Sequence, residues 1–206
     1  MAKKRNVIDE DELVPEFDPI DTEITPGIYM LSGAVVSENI TPLIASIIAE
    51  NITGEQESIT LIINSEGGSL PDAFALVSVM RTSLIPITTI AIGECASAAL
   101  MIFMAGDLRL VDENASCLSH QFSAAFPGHT KAVDLRARQK DLELTEVKIE
   151  DHYVRYTGLT REEVNEKLLT SSDIFLTAEQ LIKYNIADGL FTSMNQFLPK
   201  QPETII

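Results

Sequence analysis

ITLIINSEGGSLP, residues 59–71, carries a buried strand into a helix through two adjacent glycines. Ile59–Ile63 is a short continuous apolar run bounded by turn residues, the pattern of a strand covered on both faces. Gly67 and Gly68 permit a tight turn and present backbone N–H groups with no side chain in the way. Ser69 then reads as an N-cap and Pro71 as an early helical residue, opening a helix that carries Phe74, Leu76, Val77 and Met80. Amides exposed at such a turn can hold an anion, an oxyanion or an extended peptide. A plain strand-to-helix turn is the simpler use of the same residues.

The same strand-then-helix unit recurs on both sides. Ile28–Val36 suits a strand, and Pro42 to Asn51 a helix, with Thr41 before it and Gly54 after its end. Ile87–Ile92 is the next strand, followed by a helix from about Ser97. Leu108–Val111 and Ala115–Leu118 read as a short strand pair around Glu113 and Asn114. A charged helix is expected over about 131–157, ended by Gly158 and roughly 40 Å long. Thr160 with Glu163, and Thr177 with Gln180, form capping boxes for two further helices, the second after a strand-like Ile174–Leu176. Repeated units of this kind predict an α/β fold. The acidic stretch 1–25, with Pro15 and Pro19 and no periodicity, reads as a flexible arm. Residues 26–195 form one domain and 196–206 a tail.

A chain of 206 residues, 45% hydrophobic and 22% charged, can bury a sizeable core. Its net charge of −16 repels phosphate backbones and argues against a nucleic-acid partner. Cys95 and Cys117 have neither Cys-x-x-Cys nor zinc spacing, so no metal or other cofactor is expected. The first residues lack the apolar stretch of a secretory signal, which makes the cytoplasm the default compartment. Ile85–Gly106 is long and apolar enough to imitate a membrane span. Its β-rich first half and helix-like second half fit a buried strand turning into a buried helix better, so no membrane partner is expected.

Three further features carry chemistry. In GECASAA, residues 93–99, Ser97 stands where a strand runs into a helix among small residues. There it lies in the positive field of a helix N-terminus, and the Ala98 N–H can face a developing oxyanion. Capping the helix is its plainer role. Of three histidines, His120 ends an apolar strand and is the best placed general base. His129 lies in a Pro-Gly loop, and His152 reads as a solvated residue of the charged helix. Asp173 falls between a helix end and a strand, where it can orient a histidine or simply form a turn.

Taken in order, these segments resemble the Clp protease proteolytic subunit (ClpP). The matching stretches are INSEGGS at 63–69, IGECAS at 92–97, HQF at 120–122, DIFLTAEQ at 173–180 and IKYNIADGLF at 182–191. The resemblance spans about residues 28–191. It implies a ClpP/crotonase-like spiral of ββα units with a long protruding handle helix. It also implies a serine endopeptidase with Ser97 as nucleophile, His120 as base and Asp173 as orienting acid. Gly68 and Ala98 would supply the oxyanion hole, and Gly67, Ser69, Leu70 and Phe122 would seat an extended polypeptide. Further implications are a homo-oligomer, a heptameric ring or stacked rings enclosing a chamber, and an AAA+ unfoldase as partner in ATP-dependent proteolysis.

The sequence departs from the family pattern at several points. Glu66 stands where proline is usual before the two glycines. Ala98 and Ala99 follow the serine in place of Met-Gly. Phe122–Gly128 replaces a glycine-rich stretch, and Ser171-Ser172 replaces an acid–arginine pair. The segment between His120 and Asp173 is about four residues longer, roughly one helical turn. A crotonase-like acyl-CoA enzyme shares the fold but leaves Ser97, His120 and Asp173 without work. A serine–lysine peptidase would need a lysine base, and none follows Ser97 before Lys131. A catalytically silent ring subunit and a nucleophile at Cys95 are the remaining alternatives.

Overall fold

The computed structural model describes residues 22–123 and 131–196. Its centre is parallel: β2 (Ile28–Ser32), β3 (Ile59–Ser65) and β4 (Ile87–Ala96) lie side by side, with Ile28 opposite Thr60 and Ile59 opposite Ile87. Parallel neighbours need a crossover. α1 (Ser37–Thr53) supplies the first and α2 (Leu70–Thr82) the second. β3 is buried along most of its length, which explains its unbroken apolar run. α3 (Ala98–Met104) follows β4, and all seven of its residues are buried. A helix apolar on every side belongs inside the core. Among the described residues no helix is long and apolar enough to cross a membrane.

β5 (Leu108–Val111) and β6 (Ser116–Ser119) do not pair with each other, contrary to the hairpin expected around Glu113 and Asn114. Both run parallel to β4, one after the other. β5 lies along Thr88–Ala91 and β6 along Glu94–Ala96. The link between them is a tight turn in which Ala115 N–H donates to the Asp112 carbonyl and Asn114 N–H to the Asp112 side chain. That turn shifts the chain sideways without reversing it, so both strands keep the direction of β4.

The remaining elements close the edges. α4 (Ala132–Thr157) is a single 26-residue helix, ended by Gly158 in the left-handed region. α5 (Arg161–Lys167) and α6 (Ala178–Lys183) each begin with the capping box read from the sequence. β7 (Ile174–Leu176) pairs antiparallel with β6, and β8 (Gly189–Leu190) parallel with β5. Arg109 on β5 binds both Asp188 carboxylate oxygens, at 2.9 and 2.6 Å, and the Asn185 carbonyl, tying the C-terminal segment to the sheet.

Three boundaries differ from the sequence reading. Residues 23–25, assigned above to the arm, form β1 (Glu23–Thr25), antiparallel to β2 across a Pro26-Gly27 turn. Their side chains are exposed and carry no apolar pattern, so backbone pairing alone marks the strand. Residues 1–21 and 197–206 lie outside the described residues. The strand expected to reach Val36 stops at Ser32, and only Val35 bridges onward, to Gly68. Pro42 does not open α1. The helix starts at Ser37 because Val35 is pinned by Gly67 and Ser69, and the chain turns at once with Asn39 and Ile40 N–H both on the Val36 carbonyl. Near its far end, buried Glu50 accepts from the Gly27 N–H and the Tyr29 hydroxyl.

Candidate active site

Ser97 sits between the end of β4 and the start of α3 at φ 55° and ψ −122°. A non-glycine residue held there is strained by about 1–3 kcal/mol and persists only where its surroundings demand it. The surroundings are two close backbones. On one side the Ser97 N–H donates to Leu118 of β6 at 2.9 Å. On the other is Gly67, where a Cβ would lie 2.5 Å from the Ala96 carbonyl and 2.8 Å from Ser97 Cβ. The Ser97 side chain does not cap α3. Its Oγ lies 2.7 Å from His120 Nε2.

The sheet register explains that meeting. Cys95 pairs with Cys117 and Ala96 with Leu118, so the residues just beyond both strand ends leave the sheet together. β7 acts likewise from the other side. Ser119 pairs with Ile174, which sets Asp173 beside His120. The Asp173 Oδ1 to His120 Nδ1 distance is 3.7 Å, close enough for charge attraction but too long for a hydrogen bond. The Asp173 side chain is 61% exposed and that of His120 26%.

Gly68 and Ala98 face the same cleft. The Val35 bridge uses the Gly67 carbonyl and the Ser69 N–H, which leaves the Gly68 amide free of that pairing. Ala98 opens α3, so its N–H has no acceptor within the helix. Gly68 has φ 149°, and a Cβ there would sit 2.5 Å from the Val35 carbonyl. A cavity of about 280 Å³ adjoins Ser97, His120, Gly68 and Ala98. Ser69, Leu70 and Phe122 line it, whereas Gly67 lies behind Ser97 and not on its wall. The wall also contains Met101, Ile149 and Tyr153, none of which the sequence reading assigned to the site. Their signal was helical spacing: Met101 is one turn after Ser97, and Ile149 and Tyr153 are one turn apart.

The other candidates fall elsewhere. His129 lies outside the described residues. His152 is not solvated but buried, its Nε2 donating to the Met101 carbonyl at 2.9 Å, and loss of water pushes its pKa down to about 4. It belongs to the inward stripe of α4 with Ile149 and Tyr153, which the surrounding charges obscured. Cys95 is wholly buried, and burial, then the neighbouring Cys117, push its thiol well above the usual range, which disfavours the thiolate a nucleophile needs. Among the described residues no lysine lines the cavity. Among the described residues no cluster of His, Cys, Asp or Glu is arranged to hold a metal ion.

A serine–imidazole pair with two backbone donors beside it can carry out acyl transfer. A family model described as Clp protease matches residues 17–194.

Proposed function

The chain belongs to the Clp protease family, and on that premise we propose that it is a serine endopeptidase acting through Ser97, His120 and Asp173. The observation that carries this reading is the 2.7 Å contact between Ser97 Oγ and His120 Nε2, made by a serine held in a strained backbone. Ser97 Oγ attacks the peptide carbonyl while His120 Nε2 takes its proton. The carbonyl oxygen gains negative charge and is met by the N–H groups of Gly68 and Ala98. His120 then protonates the departing amine, leaving an acyl group on Ser97. Water, deprotonated by His120, releases the acid. Asp173 fixes the imidazole orientation and stabilises its charged form. A modest closure from 3.7 Å brings it into hydrogen-bond contact.

The substrate is an extended polypeptide. Its backbone runs beside the Ser69–Leu70 turn, and one apolar side chain enters the cavity walled by Leu70, Met101, Phe122 and Ile149. Members of the family are generally oligomeric; the finer reading is a heptameric ring, or two stacked rings, with the sites facing an inner chamber in the cytoplasm. A chamber of that kind limits an unselective peptidase to threaded chains, which an AAA+ unfoldase would deliver. The decisive test is intact mass after reaction with a fluorophosphonate. One adduct per chain is expected, absent in a folded Ser97→Ala variant that has also lost peptide cleavage. Undiminished cleavage by Ser97→Ala would overturn the assignment.

A further inference from the structure

Ser119 and Gln121 flank His120, and both reach the same neighbouring segment. Ser119 Oγ donates to the Leu168 carbonyl at 2.8 Å, and Gln121 Nε2 to the Leu169 carbonyl at 3.0 Å. Residues 168–173 connect α5 to β7 and end at Asp173. Ser119 is wholly buried and has a second partner, the Tyr153 hydroxyl on α4 at 2.8 Å. A carbonyl can only accept, so the single Ser119 hydroxyl hydrogen points to Leu168 and Tyr153 donates to Ser119. Burial pushes the Tyr153 pKa up to about 12, so its proton is always available. The result is a directed chain from Tyr153 O–H through Ser119 O–H to Leu168 C=O, crossing α4, β6 and the segment before Asp173.

We propose that Ser119 and Tyr153 are positioning residues that hold the Asp173 segment in register with His120. The inference rests on the peptidase reading above. His120 and Asp173 stand 3.7 Å apart, so no hydrogen bond of their own fixes their spacing. β6–β7 pairing begins only at Ser119 and Ile174, so the chain before it is held by the Ser119 and Gln121 bonds and by the burial of Leu168 and Leu169. The Ser119 bond anchors that chain five residues before Asp173, immediately behind the base. Neither hydroxyl is needed to fill the core, where two apolar side chains would pack with less desolvation. A buried polar chain that is fully satisfied instead selects one arrangement of its three elements.

A double-mutant cycle with Asp173→Asn tests the role, using kcat and KM for a fluorogenic apolar peptide on the full-length protein. In the otherwise native chain, Ser119→Ala should lower kcat roughly 10- to 100-fold, the scale of a small misplacement, with KM nearly unchanged. In the Asp173→Asn background the same change should cost only about 2-fold, because the residue it positions is already disabled. Tyr153→Phe keeps the ring and should follow the same pattern more weakly, which protects the test if Ser119→Ala folds poorly. An equal loss in both backgrounds would mean a general structural role and overturn the proposal. So would native kcat in both folded single variants. If Ser97→Ala retains full activity, the peptidase reading itself fails, and this proposal falls with it.

Discussion

His120 meets Ser97 and His152 meets the Met101 carbonyl one turn later, and their surroundings differ. His120 opens onto a cavity, while His152 is enclosed by Phe74, Tyr153 and Tyr156 and donates to Met101. Burial lowers the His152 pKa from 6.5 to about 4. Well above pH 6.5 the imidazole is neutral whether the chain is folded or not, and it contributes no pH dependence. As pH falls towards 4, the unfolded chain takes up a proton that the folded chain refuses, so stability is lost across that window. The full loss amounts to about 3 kcal/mol. Thermal melts at pH 7 and pH 5 should therefore show a smaller drop for His152→Gln, whose amide can still donate to Met101. An unchanged drop would show that His152 is not the titrating group.

Turns and strand ends decide the site at the next scale up. Gly67 has φ 92° and no room for a Cβ, whereas Gly33 has φ 75° with nothing within 4 Å of one. Both Ala variants incur a backbone cost of about 1–2 kcal/mol. Only Gly67→Ala also pushes against Ala96 and Ser97. Peptide hydrolysis should fall at least about 10-fold in Gly67→Ala and stay near native in Gly33→Ala, with both melting somewhat lower. Equal activities would refute the close-approach account. The Gly-Gly turn and both capping boxes were legible in the sequence because each is local: side chain and partner amide are three residues apart. The placement of β5 and β6 was not, since their common partner β4 is distant in sequence and a turn at 112–115 looks the same whether it reverses the chain or shifts it. Ser97, His120 and Asp173 were nameable through ordered motifs. The network behind His120 was missed because Ser119, Tyr153 and Leu168 meet only through tertiary packing.

On the scale of the whole molecule, α4 carries several exposed apolar side chains that could meet a partner copy. Leu144 and Val147 are 53% and 47% exposed, with Val133 and Leu135 further towards its start. Of the apolar residues Leu142, Leu144, Val147 and Ile149 that the sequence offers for contact along this helix, Ile149 is buried in the chain's own core and unavailable. If rings stack along this helix, the expected contact is through Leu144 and Val147, since Ser171 and Ser172 supply no charged pair. Native mass spectrometry should then find stacked rings that survive moderate salt and fall to single rings in a Leu144→Asp, Val147→Asp variant. Separation by salt alone, with rings intact, would contradict this. One consequence of the sheet order concerns the nascent chain. Ser97 and His120 are translated early, but the strand that sets Asp173 and the Asp188 carboxylate that locks β5 come later, Asp188 lying 79 positions after Arg109. Segments emerge at about 5–20 residues per second, and a domain generally folds as a unit. On the proposed mechanism the acid is therefore the last member of the site to leave the ribosome, several seconds after the base, and the site is complete only once the strand that carries it has joined the sheet.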